Sequence, residues 1–390
     1  MIADELRIVG STQTNVVMEA ELIRVARRAL HVRPPAPRKE GLGQLVLPFD
    51  RDLAWAATTY LRTPTRVVWD VYRSRAERLE PLYDELAADV ATDARRLFRD
   101  GDGISVEVRR VEAFAAGERQ IVGTVKNALV DGARRRGTQL HVDPNRPATR
   151  WVARLDDRGE LVVSIDLGGG SLSQRGWRRE AGEAPLREHL AAVLLMLARF
   201  DPRRDVLVDP MCGAGTIAIE AVLAARAAPR PAPALAALGL QRAEAPPLFP
   251  DAAPLVVGCD VDLDALSAAR DNARAAGIGA EITWQRADAA HLRPETIADI
   301  ARERGRTAET GLLLANPPYG ERLAADDPDA LVDTYRSLAT ACRRFRGWRA
   351  AFLVGTPLFE EAFGPVVGRP RIKKPLANAN LRAYFLLYDL

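Results

Sequence analysis

The sequence predicts an α/β protein: a mostly parallel sheet with crossover helices, closed by a hairpin and preceded by a smaller α+β module. Three observations carry this. Beyond Gly168-Gly169-Gly170, short apolar runs of strand length alternate with helical stretches, as in a buried parallel sheet. Between residues 60 and 167 the order is strand, helix, strand, helix and then two strands around a turn. The last segment, IKKPLANANLRAYFLLYDL, alternates as a final hairpin.

Taken in order, the first sixty or so residues carry the weakest signals. A helix is expected from Val17 to Leu30, where Leu22, Val25, Ala26 and Ala29 recur at helical spacing. HVRPPAPRKEG breaks the chain, and QLVLPF is a short apolar run. RVVWDVYR alternates as a strand, and AERLEPLYDELAADVATDARRLF is helical despite Pro81 near its start. ISVEVRR alternates again. IVGTVKNALVDGARRRG is an amphipathic helix that Gly137 would cap. TRWVARL and ELVVSIDL flank DDRG as a hairpin. The second half opens with the helix PLREHLAAVLLMLARF. It continues with DVLVDP, a helix from Thr216, PLVVGCD, a helix from Asp264, EITWQ, GLLLAN, a helix from Asp329, and AAFLVG. Residues 227–254, rich in Pro and Ala, are expected to form a loosely ordered insertion.

At 390 residues and 47% hydrophobic content, the chain is long enough for two or three domains with real cores. No run approaches a membrane span, and MIADELRIVG lacks the basic head and long apolar middle of a signal peptide. Cys212, Cys259 and Cys342 are too scattered for a disulfide framework or a zinc cluster, so a reducing cytoplasm and no metal are expected. The net charge of +3 is modest, but with only four lysines (Lys39, Lys126, Lys373 and Lys374) nearly all positive charge is arginine. GC-rich coding bias accounts for the preference. It does not account for the clusters Arg134-Arg135-Arg136, Arg175 with Arg178-Arg179, and Arg343-Arg344 with Arg346 and Arg349. Such clusters are either solvated faces or phosphate-binding surfaces.

The stretch VLVDPMCGAGTIAIEA is the most informative glycine loop. A strand ends at Asp209, a turn carries Gly213 and Gly215, and a helix starts near Thr216, offering free N–H groups to a closely approaching ligand. There is no Lys after the last glycine, as a phosphate loop requires, and no third glycine of a dinucleotide fingerprint. A loop with an acidic strand tip suits a ligand bearing an ammonium and no phosphate, and S-adenosylmethionine fits; a plain glycine turn is the alternative. At the next strand tip, Asp260 is placed to accept two ribose hydroxyls, while Asp262 and Asp264 suit a helix cap. Asp288, after the third strand, is either an acceptor for an adenine amine or a turn residue.

The fourth strand halts at Asn316-Pro317-Pro318-Tyr319. Prolines cannot continue a ladder, so the chain leaves the sheet rigidly where ligands of open α/β sheets bind. The Asn316 oxygen and the Pro317 carbonyl form two fixed acceptors that can hold an exocyclic NH₂ by its protons, aiming the lone pair at a methyl donor. Tyr319 can stack on the base carrying that amine, worth about 1–3 kcal/mol. Alignment and desolvation then supply most of the rate, and no general base is required before transfer.

DPMCGAGT, GCD, the Asp288 stretch and NPPYGERL resemble the class I S-adenosylmethionine-dependent methyltransferases, with their Rossmann-like, mostly parallel seven-stranded sheet and C-terminal hairpin. More narrowly they resemble the RNA guanine-N2 methyltransferases that carry a THUMP domain. VKNALVDGARRRG, the hairpin ending in SIDLGGGSLSQRGWRREAGEAPLREHLAA, and LAWAATTYLRTPTRVV resemble the THUMP module and a ferredoxin-like flank. The similarity covers about residues 50 to 390 and is strongest to the branch that methylates 23S ribosomal RNA, with relatives acting on tRNA.

The resemblance implies a ferredoxin-like segment at 1–60, a THUMP RNA-binding domain at 61–170 and a methyltransferase domain at 171–390. Asp209, Pro210, Cys212, Gly213, Gly215 and Thr216 would line the cofactor, Asp260 would take its ribose and Asp288 its adenine. Asn316, Pro317, Pro318 and Tyr319 would hold the guanine. Lys126, Arg134, Arg135, Arg136 and Arg175 would meet RNA, and no obligate protein partner is implied. The first forty-odd residues match the family's opening poorly. Some bacterial relatives carry a fused second methyltransferase, and its activity is expected to be absent here. NPPY also occurs in DNA adenine-N6 and release-factor glutamine methyltransferases, but the α+β module resembles the N-terminal half of neither. A non-catalytic RNA-binding factor is the alternative of another class, and intact glycines, acidic tips and NPPY count against it.

Overall fold

The computed structural model describes residues 1–179, 186–318, 328–378 and 381–390. They form two compact units, one built from 1–10, 18–172 and 229–245, the other from 11–17, 173–228 and 246–390.

The first unit contains β1 (Ile2–Val9), β2 (Arg38–Glu40), β3 (Gln44–Pro48), β4 (Arg66–Ser74), β5 (Gly103–Arg109), β6 (His141–Val142), β7 (Thr149–Leu155) and β8 (Leu161–Asp166). They make one sheet in the order β2-β3-β1-β4-β8-β7-β5-β6. β1 is a central strand, with Leu6 opposite Leu47 on β3 and opposite Trp69 on β4, so the first sixty residues share a sheet with those that follow. The expected hairpin is present, Leu155 facing Leu161 across its turn.

Helices Leu79–Thr92 and Glu118–Arg135 pack together so closely that a Cβ on Gly132 would lie 2.6 Å from the Val90 Cβ. The first of them stops earlier than its sequence pattern predicts. Asp93 leaves the helix and is buried, accepting from the Tyr72 hydroxyl at 2.9 Å and from the Arg95 guanidinium. The second ends as expected, with Arg136 at the cap and Gly137 at φ +79°.

Alternate strand residues of this sheet carry charge. Asp70 is fully buried and accepts from Arg7 Nε at 2.9 Å, Arg154 Nη2 at 3.0 Å and Ser164 Oγ at 2.6 Å. Beside it, Asp166 pairs with Arg66; burial pushes its carboxyl up to about 6, with Arg66 opposing.

Residues 229–245 are not a loose insertion. Pro233 opens a short helix to Ala237, the Arg230 N–H donates to the Thr59 carbonyl at 3.0 Å, and the Arg242 guanidinium stacks 4.3 Å over Trp55. Composition pointed to disorder because Pro and Ala carry little periodicity, whereas the ordering interactions come from a helix, Arg51–Tyr60, far away in sequence.

The second unit contains β9 (Val206–Asp209), β10 (Leu255–Asp260), β11 (Ile282–Arg286), β12 (Gly311–Ala315), β13 (Arg349–Val354), β14 (Ile372–Asn378) and β15 (Leu381–Asp389). Their order is β11-β10-β9-β12-β13-β15-β14, parallel except for β15. This is the seven-stranded, Rossmann-like arrangement with a terminal hairpin that the sequence predicts. Both faces are covered. Leu207, Val256, Leu312 and Leu314 pack with helices Glu188–Leu197 and Thr216–Arg226. On the other face Val206, Val208, Val257 and Leu313 pack with Ile297, Tyr335, Phe359 and Phe363. The strand order reverses between β9 and β12, which opens a crevice at their carboxyl ends.

Candidate active site

β9 is buried throughout and delivers Asp209 to the crevice. The chain then turns through Gly213 (φ +49°) and Gly215 (φ +80°) before the helix from Thr216. Gly215 is doubly required, since a Cβ there would also stand 2.7 Å from the Trp284 ring. A Cβ on Gly258 of β10 would come within 2.4 Å of the same ring. Trp284, on β11, is therefore the floor against which the loop is shaped. The sequence pattern of EITWQ gives it no role, and two glycines opposite one large aromatic were the available signal.

Side chains hold the loop. The Gly213 N–H donates to Asp260 Oδ2 at 2.8 Å, and the Cys212 N–H donates to the Cys259 carbonyl at 2.9 Å. Asn272, buried, donates through Nδ2 to the Ala214 carbonyl at 3.1 Å and accepts from the Arg179 N–H at 2.7 Å. Arg178 donates to Thr216 Oγ1 at 3.0 Å and to Glu188 at 2.9 Å. Sequence patterning gives Asn272 no role and places Arg178 only in an arginine cluster, because their partners lie on other elements.

Parallel pairing puts Asp209 opposite Gly258 and brings Asp260 to the same end of the sheet. Burial pushes Asp209 well above the usual carboxylate range; the Met211 N–H opposes this at 3.2 Å, and the charge of Asp260 adds to it. Asp260 is half-buried and accepts from Gly213 and, at 3.1 Å, from the Asp262 N–H. Two of its lone-pair sites remain for hydroxyls. Pro210 is buried behind the strand tip, and burial raises the Cys212 thiol well above its ordinary value, so it stays a neutral lining group. Asp288 caps the 3₁₀ turn Ala289–His291, its Oδ1 accepting from the Ala290 N–H at 2.9 Å; its carboxylate is exposed.

At the end of β12, the Asn316 Oδ1 is buried and has no hydrogen-bond partner among the described residues. Pro317 is buried, Pro318 is exposed, and the Tyr335 hydroxyl donates to the Pro318 carbonyl. That bond anchors the departing chain to the helix Pro328–Cys342. Tyr319 lies outside the described residues.

The RNA-facing residues expected from sequence divide. Arg134, Arg135 and Arg136 are exposed at the end of the helix Glu118–Arg135, Arg134 pairing with Asp131 at 2.9 Å, and Lys126 is half-buried on it. Arg175 is different. Its side chain is 1% exposed and its Nε lies 3.3 Å from Glu220, which is also buried, so it braces the second unit instead of facing RNA. A linear cluster of arginines does not show which of them folding turns inward.

The model of the RMKL-like methyltransferase domain matches residues 175–377. The chain belongs to this family. It is 36% identical to a ribosomal RNA large subunit methyltransferase K/L of Chromohalobacter salexigens across 79% of this chain and 43% of that protein. The chain thus spans less than half the length of the curated relatives it matches. Among solved structures, TrmN from Thermus thermophilus is 22% identical, with all of both chains covered and a TM-score of 0.71. A methyltransferase-fold structure complexed with S-adenosylhomocysteine is 22% identical over 99% of this chain and 98% of that one, with a TM-score of 0.75. These two likenesses show the fold. Among the described residues no helix is long and apolar enough to cross a membrane, and no cluster of His, Cys, Asp and Glu could hold a metal ion.

Proposed function

We propose that this chain methylates the exocyclic N2 amine of a guanine in large-subunit (23S) ribosomal RNA, using S-adenosylmethionine. The observation that carries this reading is the buried Asn316 Oδ1, without a partner among the described residues at the ligand end of the sheet, beside two prolines. An orphaned acceptor of this kind costs about 1–3 kcal/mol unless a donor arrives, and an amine supplies one. The name of the Chromohalobacter relative supports the choice of RNA.

The residues present fit the cofactor. Asp260 retains acceptor sites for a ribose diol, Asp209 is a buried acid for an ammonium, and the left-handed glycines let the backbone approach. S-adenosylmethionine supplies an activated methyl group. Asn316 and the Pro317 carbonyl hold the two amine protons, fixing the nitrogen lone pair along the transfer direction. Tyr335, through Pro318, keeps that segment rigid. The neutral amine attacks without a base, and the product releases its proton to solvent. Residues 1–60 and 61–170 then serve as ferredoxin-like and THUMP regions that grip RNA through Lys126 and Arg134 to Arg136, with 171–390 carrying the chemistry.

The test is transfer of labelled methyl to 23S rRNA and, separately, to bulk tRNA, followed by nucleoside analysis. N2-methylguanosine in the ribosomal RNA alone is expected. The same nucleoside only in tRNA would overturn the choice of substrate, and N6-methyladenosine would overturn the choice of base.

A further inference from the structure

Tyr384 is the only exposed aromatic among the described residues, at 40% exposure. It lies on β15, where side chains alternate between the two faces of the sheet. Its same-face successors Leu386 and Tyr388 are completely buried. The sheet's own pattern would therefore cover this position, and the chain leaves it open with a large ring. The location is specific. Tyr384 pairs with Val354 at the carboxyl end of β13, while Ala315, immediately before Asn316, pairs with Phe352 on the same strand. Two strand spacings separate β12 from β15, placing Tyr384 about 10 Å sideways from Asn316, at the same end of the sheet.

The ring is also held. Lys373 Nζ sits 4.9 Å over one face and is itself tied to Glu360, which leaves the other face for a partner. Next to it on the same face, Arg382 is exposed and forms no hydrogen bond or ion pair among the described residues. Lys373, on the neighbouring β14, pairs with Leu386 and so shares this face, whereas Lys374 pairs with Phe385 and faces the other side.

We propose that the exposed stretch of the C-terminal hairpin at Arg382 and Tyr384 is a docking site for single-stranded RNA beside the target nucleotide. Tyr384 stacks on a flanking base and Arg382 takes a backbone phosphate. This rests on the RNA-methylation reading for its substrate and adds the residues that position it. A fixed aromatic platform with an adjacent cation is the combination that holds unpaired nucleic acid without demanding a sequence.

Equilibrium binding of an unstructured RNA oligonucleotide to the full chain tests it, alongside KM and kcat for rRNA methylation. Tyr384→Ala should weaken oligonucleotide binding about tenfold and raise KM with kcat little changed, in line with base–aromatic stacking of about 1–3 kcal/mol. Tyr384→Phe should restore binding, and Arg382→Gln should lower the salt dependence of binding. Cofactor affinity, measured by calorimetry, should be the same in all three, which also checks that each is folded. Equal RNA affinity for wild type and Tyr384→Ala, or failure of Phe to rescue, overturns the proposal. Loss of binding in Tyr384→Ala while wild type makes no methylguanosine would keep this site and remove the guanine reading.

Discussion

The two sheets of this protein solve opposite problems. The seven-stranded sheet is apolar on both faces and covered on both, so its chemistry is confined to the strand ends, where Asp209, Asp260 and Asn316 emerge. The eight-stranded sheet carries Arg7, Asp70, Arg154 and Ser164 along its strands and buries much of that charge in a hydrogen-bonded network. A sheet buried by hydrophobic layers tolerates loss of a polar residue at its edge without unfolding. A sheet knitted by buried ions does not, because removing one partner leaves others charged and dry.

That contrast is broken most severely at Asp70. Asp70→Ala leaves Arg7 and Arg154 without their shared acceptor, and a loss of about 3–5 kcal/mol is expected. Hydrogen exchange should show it as loss of protection in β1, β4, β7 and β8 while β9 to β13 stay protected; uniform loss would show that the two sheets are not independent in stability. Next in size is Asn316→Ala, which should reduce kcat by about 100-fold. Cofactor affinity by calorimetry and the melting temperature should be unchanged. Near-normal turnover would remove the amine-holding role.

A third test concerns His189, buried in the second unit between Ser11 Oγ and Ser173 Oγ, each at 2.8 Å. Burial, helped by Arg175 and Arg187, lowers its pKa from 6.5 to about 3. The folded value lies below the unfolded one, so the contribution of the neutral ring is complete above pH 6.5 and is lost as pH falls toward 3. Between about pH 6.5 and 5 the wild type should lose about 2 kcal/mol relative to His189→Gln. Parallel urea midpoints for the two proteins across that range would show that the ring is not buried neutral. The smallest effect is expected at the surface. Replacing Arg134, Arg135 and Arg136 by Gln should reduce the slope of log affinity against log salt by about 0.7 for each phosphate no longer neutralised, leaving cofactor binding alone.

Much of the second unit was legible in the sequence. DPMCGAGT, GCD and NPP each encode a local event: a left-handed turn, an acidic strand tip, an abrupt exit from a ladder. Such events depend on residues within a few positions, so the chain order of strands and the identity of Asp209, Gly213, Gly215, Asp260 and Asn316 follow from the letters themselves. What only the tertiary structure decided was set by partners far apart in the chain. β1 has no legible strand pattern because its Arg7 breaks the apolar run, and that arginine is explained by Asp70, 63 positions away, together with Glu40 and Gln44. Trp284 gains its role from Gly215 and Gly258, residues 229–245 gain order from Trp55, and Arg175 turns inward to Glu220. Local backbone geometry is written by neighbours in sequence. The burial of a charge, the floor of a loop and the ordering of a proline-rich segment are written by whatever register and packing bring alongside them.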